Sequence, residues 1–507
     1  MSIYGFYLII IIFCLLFAWL SWRRRDLAVA LVIFALPSYL IRFKVFSIPT
    51  TMLEVMILVL FAVFLVTNGT RIAPLSFRSR IEKFIKGTLH RFLHAGRNDS
   101  GSVGGYCWGI LLFILFATIS VFAAPDKMAA LGIWKAYFIE PILFFIVFIN
   151  TIKTKEHFNL VINAIAASAL LVALPAIFQK FTGFGFTTVS FFNEATRRVT
   201  SWYGFPNAVG LYLAPIVVLF AGLIIVGWIK GSTKLEAQNP NKITNLKFKF
   251  QSQLAIKFKR EDAKQLIFCF LVFLLSLLAI YYAKSEGALI GSAVGIVFLI
   301  FVLTGKKIRL MAAIILIIII TSISLNAATA NYFKSKLTLS DLSGQIRLQQ
   351  WKETWTMLKN DKILFGAGLS GYKTAVAPYH QAGIWLNDKS DLNWLKKIQT
   401  DEKFRQSHWQ PTEIYQYPHN LILNFWSETG LFGLLTFVLL LSIFLMDYWR
   451  VKEVGNKKMY LVLIGVMITI LIHGLVDVPY FKNDLSVWWW MVFGMATVIA
   501  GRDINES

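Results

Sequence analysis

Thirteen apolar runs, most of them near 20 residues long, punctuate this 507-residue chain. A helix of about 20 residues crosses a hydrocarbon core of ~30 Å, and a helix satisfies its own backbone polar groups there. The runs fall at about 3–22, 27–41, 48–67, 104–123, 132–150, 157–176, 206–228, 265–283, 286–304, 308–327, 420–446, 459–476 and 485–501. The weakest is 27–41, which is short and carries Pro37. The pair 265–283 and 286–304 is joined so tightly that it reads either as two spans or as one interrupted unit. The expected fold class is therefore all-α: a polytopic helical membrane protein of about 13 transmembrane helices. A hydrophobic content of 57% fits that class, because soluble domains hold about 45–50%.

A net charge of +23 would suggest nucleic acid in a soluble protein. The basic residues, however, lie mainly in alternate loops. Arg23, Arg24 and Arg25 follow the first run, Arg71 to Arg97 the third, Lys153 and Lys155 the fifth, Lys230 to Lys264 the seventh. Lys306, Lys307 and Arg309 follow the ninth, and Arg450, Lys452, Lys457 and Lys458 the eleventh. All are exits on one side. The positive-inside rule makes that side cytoplasmic, with the amino terminus outside and the carboxyl terminus inside. Arg42 and Lys44 run mildly against the rule. Such loops read as anchors facing membrane lipids, not as a nucleic-acid site. The first run has its positive charges after it, the opposite of a cleaved signal peptide, so it is expected to remain. Cys14, Cys107 and Cys269 all fall inside spans, which leaves no disulfide framework and no zinc spacing.

This topology divides the chain into a bundle at 1–327 with helices 1–10 and basic inner loops at 68–103 and 229–264, a large, mostly helical outer loop domain at 328–418, and helices 11–13 at 419–507. The outer domain has 12 Lys+Arg against 8 Asp+Glu, so it is soluble and mildly basic. Leu348, Trp351, Trp355 and Leu358 recur at helical spacing, which predicts the apolar face of an amphipathic helix. Arg347 shares a side with Trp351 at i, i+4. Phe365-Gly366-Ala367-Gly368-Leu369-Ser370-Gly371-Tyr372 then ends the helix; it reads as a turn or, less specifically, as backbone N–H groups offered to an anion. A shorter outer segment, 177–204, is rich in Gly and aromatic residues and suits the interface.

His419 stands where a long apolar helix begins. Continued unbroken to Met446, that helix of 27 residues would be ~40 Å long, so its first turns reach the outer interface. The positive end of the helix dipole favours a neutral imidazole, which can accept a proton from a hydroxyl. A lone interfacial histidine otherwise serves as a structural hydrogen-bonding residue. Ionisable residues in or near spans are costly and often functional; Glu140, Glu428, His473 and Asp477 qualify. Asp477, at the outer end of its helix, is expected to pair with an outer arginine, or else to touch an acceptor.

Three stretches together resemble the O-antigen ligase and polymerase superfamily. Arg198-Val199-Thr200-Ser201-Trp202-Tyr203-Gly204-Phe205-Pro206-Asn207 resembles its Arg…Gly-x-Pro-Asn signature. Ser343-Gly344-Gln345-Ile346-Arg347, then Trp351, then Gly366-Ala367-Gly368, is similar to its Gly-Arg-x-x-x-Trp…Gly-x-Gly stretch, with two residues here between Gly and Arg. His419-Asn420, then Glu428-Thr429-Gly430 and Gly433, is similar to its His-Asn…Glu-x-Gly-x-x-Gly stretch. One departure stands out: where that family often has Ser-Arg-Gly between two middle spans, this chain has Lys284-Ser285-Glu286-Gly287, with Lys284 the nearby source of positive charge.

The resemblance implies a GT-C type glycosyltransferase in a bacterial cytoplasmic membrane. It would take an undecaprenyl-diphosphate-linked glycan at the outer leaflet and transfer it, with inversion, to an acceptor hydroxyl. The acceptor would be a glycan, a lipid A-core or a protein. Arginine can hold the leaving diphosphate through two parallel hydrogen bonds, so no metal and no cofactor is expected. Arg198 and Arg347 are the implied diphosphate ligands and His419 the base. Arg197, Asn420, Trp351, Asp477 and Lys284 would support them, and Trp202, Tyr203, Trp351 and Tyr372 would stack on sugars or anchor the interface. Asp388, Asp391, Asp401 and Glu402 read as a solvated loop face. Ligase and polymerase share these motifs. A lipid or sugar transporter is the alternative from another class, but no internal repeat is visible and the candidate groups lie at one face, not at midplane. A receptor or scaffold using the outer domain is a third reading, which no motif supports.

Overall fold

A computed structural model describes residues 3–45, 48–69, 101–185, 197–238, 260–380 and 417–501, with scattered residues between 391 and 404. The helices are α1 (Ile3–Arg23), α2 (Arg25–Phe34), α3 (Met52–Gly69), α4 (Gly101–Ala123), α5 (Lys127–Trp134), α6 (Glu140–Thr151), α7 (Lys155–Thr182), α8 (Pro206–Gln238), α9 (Arg260–Ala283), α10 (Glu286–Leu303), α11 (Lys306–Leu325), α12 (Ala327–Leu337), α13 (Leu342–Met357), α14 (Tyr372–Val376), α15 (Leu421–Asp447), α16 (Val454–His473) and α17 (Asn483–Ala500). One short antiparallel hairpin, β1 (Arg42–Val45) with β2 (Ile48–Thr51), is the sheet among the described residues. The protein is an all-α polytopic membrane protein.

A helix occupies each of the thirteen apolar runs. Among the described residues ten helices are long and apolar enough to cross a membrane, and Met52–Asn68 is a shorter apolar helix. The run 27–41 is not one span: the α-helix stops at Phe34 and continues as a 3₁₀ turn, Leu36–Leu40, because Pro37 has no N–H to extend it. The last run, α17, has 18 residues but opens on Asn483-Asp484 and carries Trp488, Trp489 and Trp490, which lower its hydropathy. Every residue from 484 to 499 is nonetheless buried. An apolar helix buried on all sides belongs at the centre of a bundle. It packs on Phe145, Phe437 and Tyr480 through stacked and edge-on rings. At the other extreme, α11 has no buried residue.

The long run that begins at Leu421 is broken, not continuous. Gly430 takes φ 72° and ψ −179° inside α15. That break frees backbone groups, and the segment 363–371 supplies their partners. Leu431 N donates to the Ile363 and Leu364 carbonyls at 3.1 Å, and Ala367 N donates to the Ser427 carbonyl at 2.6 Å. Leu369 N reaches the Ser120 carbonyl at 3.3 Å, and Ser370 N donates to Glu428 Oε2 at 2.6 Å. Gly366 N donates back to the Lys362 carbonyl and Gly371 N to the Gly368 carbonyl, both at 2.9 Å. With those N–H groups occupied, the stretch is a structural turn rather than an anion cradle.

The amphipathic face of α13 also differs from its sequence pattern. Leu348 and Trp355 are exposed, while Ile346, Gln350, Glu353, Thr354, Met357 and Leu358 are buried. A small core of Met357, Leu358, Tyr372 and Val376 takes Leu423 and Trp426 of α15 as its other wall. The buried polar side chains are matched in pairs: Thr354 with Tyr372 at 2.8 Å, and Glu353 with His380 at 2.7 Å. This pairing allows the polar face of α13 to turn inward.

Candidate functional site

Helix α7 ends at Gly183 in left-handed backbone, and α8 starts at Pro206, a residue suited to the first helical position. Between them Gln179 fixes the loop. Its Oε1 accepts from Thr200 N at 3.0 Å and Ser201 N at 2.7 Å, and its Nε2 donates to the Ser201 carbonyl at 2.9 Å. The loop thereby presents Arg198 to the turn between α9 and α10. Arg198 Nε donates to the Ala283 carbonyl at 3.0 Å; Nη2 donates to Asn207 Oδ1 at 2.9 Å and to the Lys284 carbonyl at 3.2 Å. Arg197 points elsewhere: its Nη1 donates to the Lys180 carbonyl at 2.8 Å, tying off the end of α7.

Arg347 comes from the second turn of α13. Gly344 lets this helix start pack closely, since a Cβ there would sit 2.5 Å from Leu339 Cα. Arg347 Nε donates to the Val476 carbonyl at 3.1 Å, and Nη1 donates to Ser343 Oγ at 2.8 Å. One turn on, Trp351 Nε1 donates to the Pro418 carbonyl at 3.0 Å, joining α13 to the segment that carries His419.

His419 lies just before α15, in left-handed backbone at φ 46°. Such a conformation costs roughly 1–3 kcal/mol and persists where its surroundings enforce it. Asn420 caps the helix, its Oδ1 accepting from Leu423 N at 3.0 Å, and its Nδ2 donates to the Leu475 carbonyl at 3.1 Å. Leu421 N donates to the Gly474 carbonyl at 2.7 Å. The start of α15 is thus stitched to the end of α16. Across that seam His419 Nδ1 lies 3.5 Å from Asp477 Oδ1, and the ring of Tyr417 lies 4.9 Å from that of His419. Asp477 is buried, and its Oδ1 also accepts from Val478 N at 2.9 Å. Burial pushes its carboxyl up, but the hydrogen bond and charge of His419, the nearby His473 and the Val478 N–H outweigh burial and hold it well below the usual carboxylate range. The expected Asp477–arginine pair is therefore replaced by an Asp477–histidine pair. Arg347 takes the adjacent Val476 carbonyl instead.

Arg198, Arg347, His419 and Asp477 gather where five segments meet. The two guanidinium groups feel each other: burial lowers the pKa of Arg198 most, Glu286 opposes that, and Arg347 lowers it further. Arginine's high intrinsic pKa still keeps it charged. Asn420 and Trp351 lie in the same cluster as backbone-holding groups. Lys284 has an exposed side chain and contributes its carbonyl.

The proposed sugar-stacking set divides. Tyr203 and Tyr372 are buried, the hydroxyl of the first at 3.2 Å from Asp484 and that of the second on Thr354. Trp202 is exposed and Trp351 half-buried. Glu428 holds the Gly-rich turn, and Glu140 is buried beside the Lys135–Glu54 ion pair. Asp391 pairs with Lys397 at 2.8 Å, and Asp401 caps Lys403 and Phe404; Asp388 and Glu402 lie outside the described residues. Sequence reasoning missed Gln179, Ser343, Tyr332 and Lys336, whose roles depend on contacts with distant segments.

The model of the O-antigen ligase family matches residues 271–438. This segment is similar to the O-antigen ligase family. It holds the α9–α10 turn, Arg347, the Gly-rich turn, His419 and Gly430, while Arg198 and Asp477 lie outside it and reach it through the fold. The family thus supports a membrane glycosyltransferase of O-antigen ligase or polymerase type, acting on a lipid-linked glycan and an acceptor. No curated protein matches the chain.

Proposed function

We propose that this protein transfers a glycan from an undecaprenyl-diphosphate-linked donor to an acceptor hydroxyl at the outer face of the bacterial cytoplasmic membrane, with the positive-inside topology read from its loops. The observation that carries this reading is the convergence of Arg198 and Arg347 beside the His419–Asp477 pair. In the reaction the acceptor oxygen bonds to the anomeric carbon as that carbon's bond to the diphosphate breaks. The electron pair leaves with the diphosphate, so negative charge grows there. Two fixed guanidinium groups in a partly buried site favour that state over the ground state. Attack from the face opposite the leaving group inverts the configuration. His419 takes the acceptor proton, and Asp477 orients the imidazole and stabilises its protonated form. Proton transfer of this kind contributes about 10²–10⁴-fold. Arginine supplies the charge that a metal would otherwise provide.

A transporter would need its binding groups near midplane. Three of these instead sit between helices, Arg198 after α7, His419 before α15 and Asp477 after α16, and Arg347 lies in the second turn of α13. The test is reconstitution with a lipid-linked oligosaccharide and an acceptor in the presence of chelator. The expected result is glycan transfer by wild type, lost in His419→Ala, Arg347→Ala and Arg198→Ala. Lipid movement with no new glycosidic bond would favour the transporter. Ligase and polymerase separate in a deletion strain: the ligase loses the whole polymer from its anchor, whereas the polymerase leaves a single repeat attached.

A further inference from the structure

Helix α12 has no buried residue. It meets α10 through two side chains that converge on one carboxylate. Tyr332 Oη donates to Glu286 Oε1 at 3.0 Å, and Lys336 Nζ stands 2.9 Å from Glu286 Oε2. Lys336 Nζ also pairs with Asp341 Oδ2 at 2.8 Å and lies 5.5 Å from the Tyr332 ring centre. Both ends of this link lead to an arginine of the site. Glu286 is the first residue of α10, directly after the turn whose Ala283 and Lys284 carbonyls hold Arg198. Asp341 is the residue before α13, the helix that carries Arg347.

We propose that Glu286 and Lys336 are positioning residues: their ion pair sets the spacing between Arg198 and Arg347 for the diphosphate of a lipid-linked donor. The inference rests on the transferase reading above. Two like charges held close repel, the more so in a partly buried site. Glu286 supplies the counter-charge next to Arg198, and Lys336 carries the link on to α13. This also accounts for the departure from the Ser-Arg-Gly pattern. An arginine at 286 would add a third cation beside Arg198, whereas the carboxylate recruits a lysine from a later helix. Because all three side chains are partly exposed, at 24%, 48% and 23% for Lys336, Glu286 and Asp341, the pair is suited to positioning rather than to holding the fold together.

The experiment uses the full chain in nanodiscs, with undecaprenyl-diphosphate-linked oligosaccharide varied at saturating acceptor. Lys336→Met and Glu286→Gln are expected to raise the donor KM about fivefold, leaving kcat, acceptor KM and the unfolding temperature near wild type. Lys336→Arg should restore the donor KM. An unchanged donor KM in Lys336→Met, or an Arg variant as impaired as the Met variant, overturns the proposal while leaving the transferase reading intact. Should wild type not transfer at all, that reading fails, and the spacing is read directly. Spin labels at Trp202→Cys and Leu348→Cys, in a Cys14→Ser background, are expected to show a broader distance distribution in Lys336→Met; an unchanged distribution overturns the positioning role.

Discussion

Asp477 lies 3.5 Å from His419 Nδ1 although 57 residues separate them, and the seam between α15 and α16 is what brings them together. The carboxylate is buried and accepts from one backbone N–H, so it can move little. A fixed carboxylate behind an imidazole selects the ring's orientation and stabilises positive charge on it.

Asp477→Asn should therefore lower kcat by roughly 10²-fold with little change in donor KM. The pH dependence has a definite sign. A carboxyl whose folded pKa is depressed gives stability that is present above its unfolded value of about 3.9 and is lost as pH falls through the folded value. Asp477, held below the ordinary range, stays ionised throughout the neutral region. The loss of kcat in Asp477→Asn should then be present at pH 8, where wild-type Asp477 is ionised and the imidazole is free to take a proton. Equal kcat for the two proteins at pH 8 would show that the Asp477 carboxylate does not assist the transfer.

Arg198→Lys keeps the charge but loses the fork. Three acceptors, Ala283 O, Lys284 O and Asn207 Oδ1, now fix the guanidinium plane. A lysine ammonium cannot serve all three and still face a diphosphate from a defined direction. The donor KM should rise about tenfold or more, and Asn207→Ala should move it the same way by less. Equal kinetics for Arg198→Lys and wild type would mean that only charge matters at this position.

Much of the fold was legible because membrane helices depend on local hydropathy. The thirteen runs each hold a helix. What failed was decided by contacts between distant segments. Nothing in the sequence of 420–446 marks Gly430 as a break, because Gly is tolerated in spans. The break becomes stable only when 363–371 supplies partners for the freed backbone groups. The apolar stripe Leu348, Trp351, Trp355 and Leu358 suggested one buried face, yet the buried face contains Gln350, Glu353 and Thr354. Thr354 and Glu353 find partners in Tyr372 and His380, which periodicity within one helix cannot reveal. In the same way Asp477 was recognised as ionisable at a helix end, but its partner was assigned to an arginine, because the choice between neighbours is made by the packing of α15 on α16. Arg198, Arg347 and His419 were picked out through the motifs that resemble the O-antigen ligase and polymerase superfamily, together with their place between spans.

The kink in α15 is open to a stability test. At Gly430 a Cβ would stand 2.1 Å from the Leu364 carbonyl oxygen, and the positive φ adds strain. Gly430→Ala should destabilise the protein by about 3 kcal/mol or more. Glu428→Ala leaves Ser370 N–H without its acceptor in a partly buried setting, costing about 1 kcal/mol. Glu428→Gln keeps a carbonyl there and should cost less. Thermal unfolding in detergent ranks the three. A Gly430→Ala variant as stable as wild type would mean that the helix can run straight and the Gly-rich turn can release it.

Gly287 gives a way to disturb the site without touching a charged group. Its missing side chain makes room for the seam on α16: a Cβ there would lie 2.8 Å from His473 Cδ2 and 2.9 Å from Val476 Cγ2. Those contacts are too short to keep, so His473 or Val476 must shift. The Val476 carbonyl holds Arg347 Nε at 3.1 Å, and Asp477 follows directly in the chain. A shift of a few tenths of an ångström would thus reach both halves of the site, the guanidinium through Val476 and the imidazole through Asp477. Gly287→Ala should lower kcat/KM for transfer by about tenfold, from small misplacement of both groups. Its unfolding temperature should fall only modestly, because the clashing atoms belong to side chains. Gly305→Ala is the control, since a Cβ at that position meets nothing within 4 Å, and it should behave as wild type. If Gly287→Ala transfers glycan at the wild-type rate while its stability drops, the α10–α16 contact supports the bundle and does not set the geometry of Arg347 and His419.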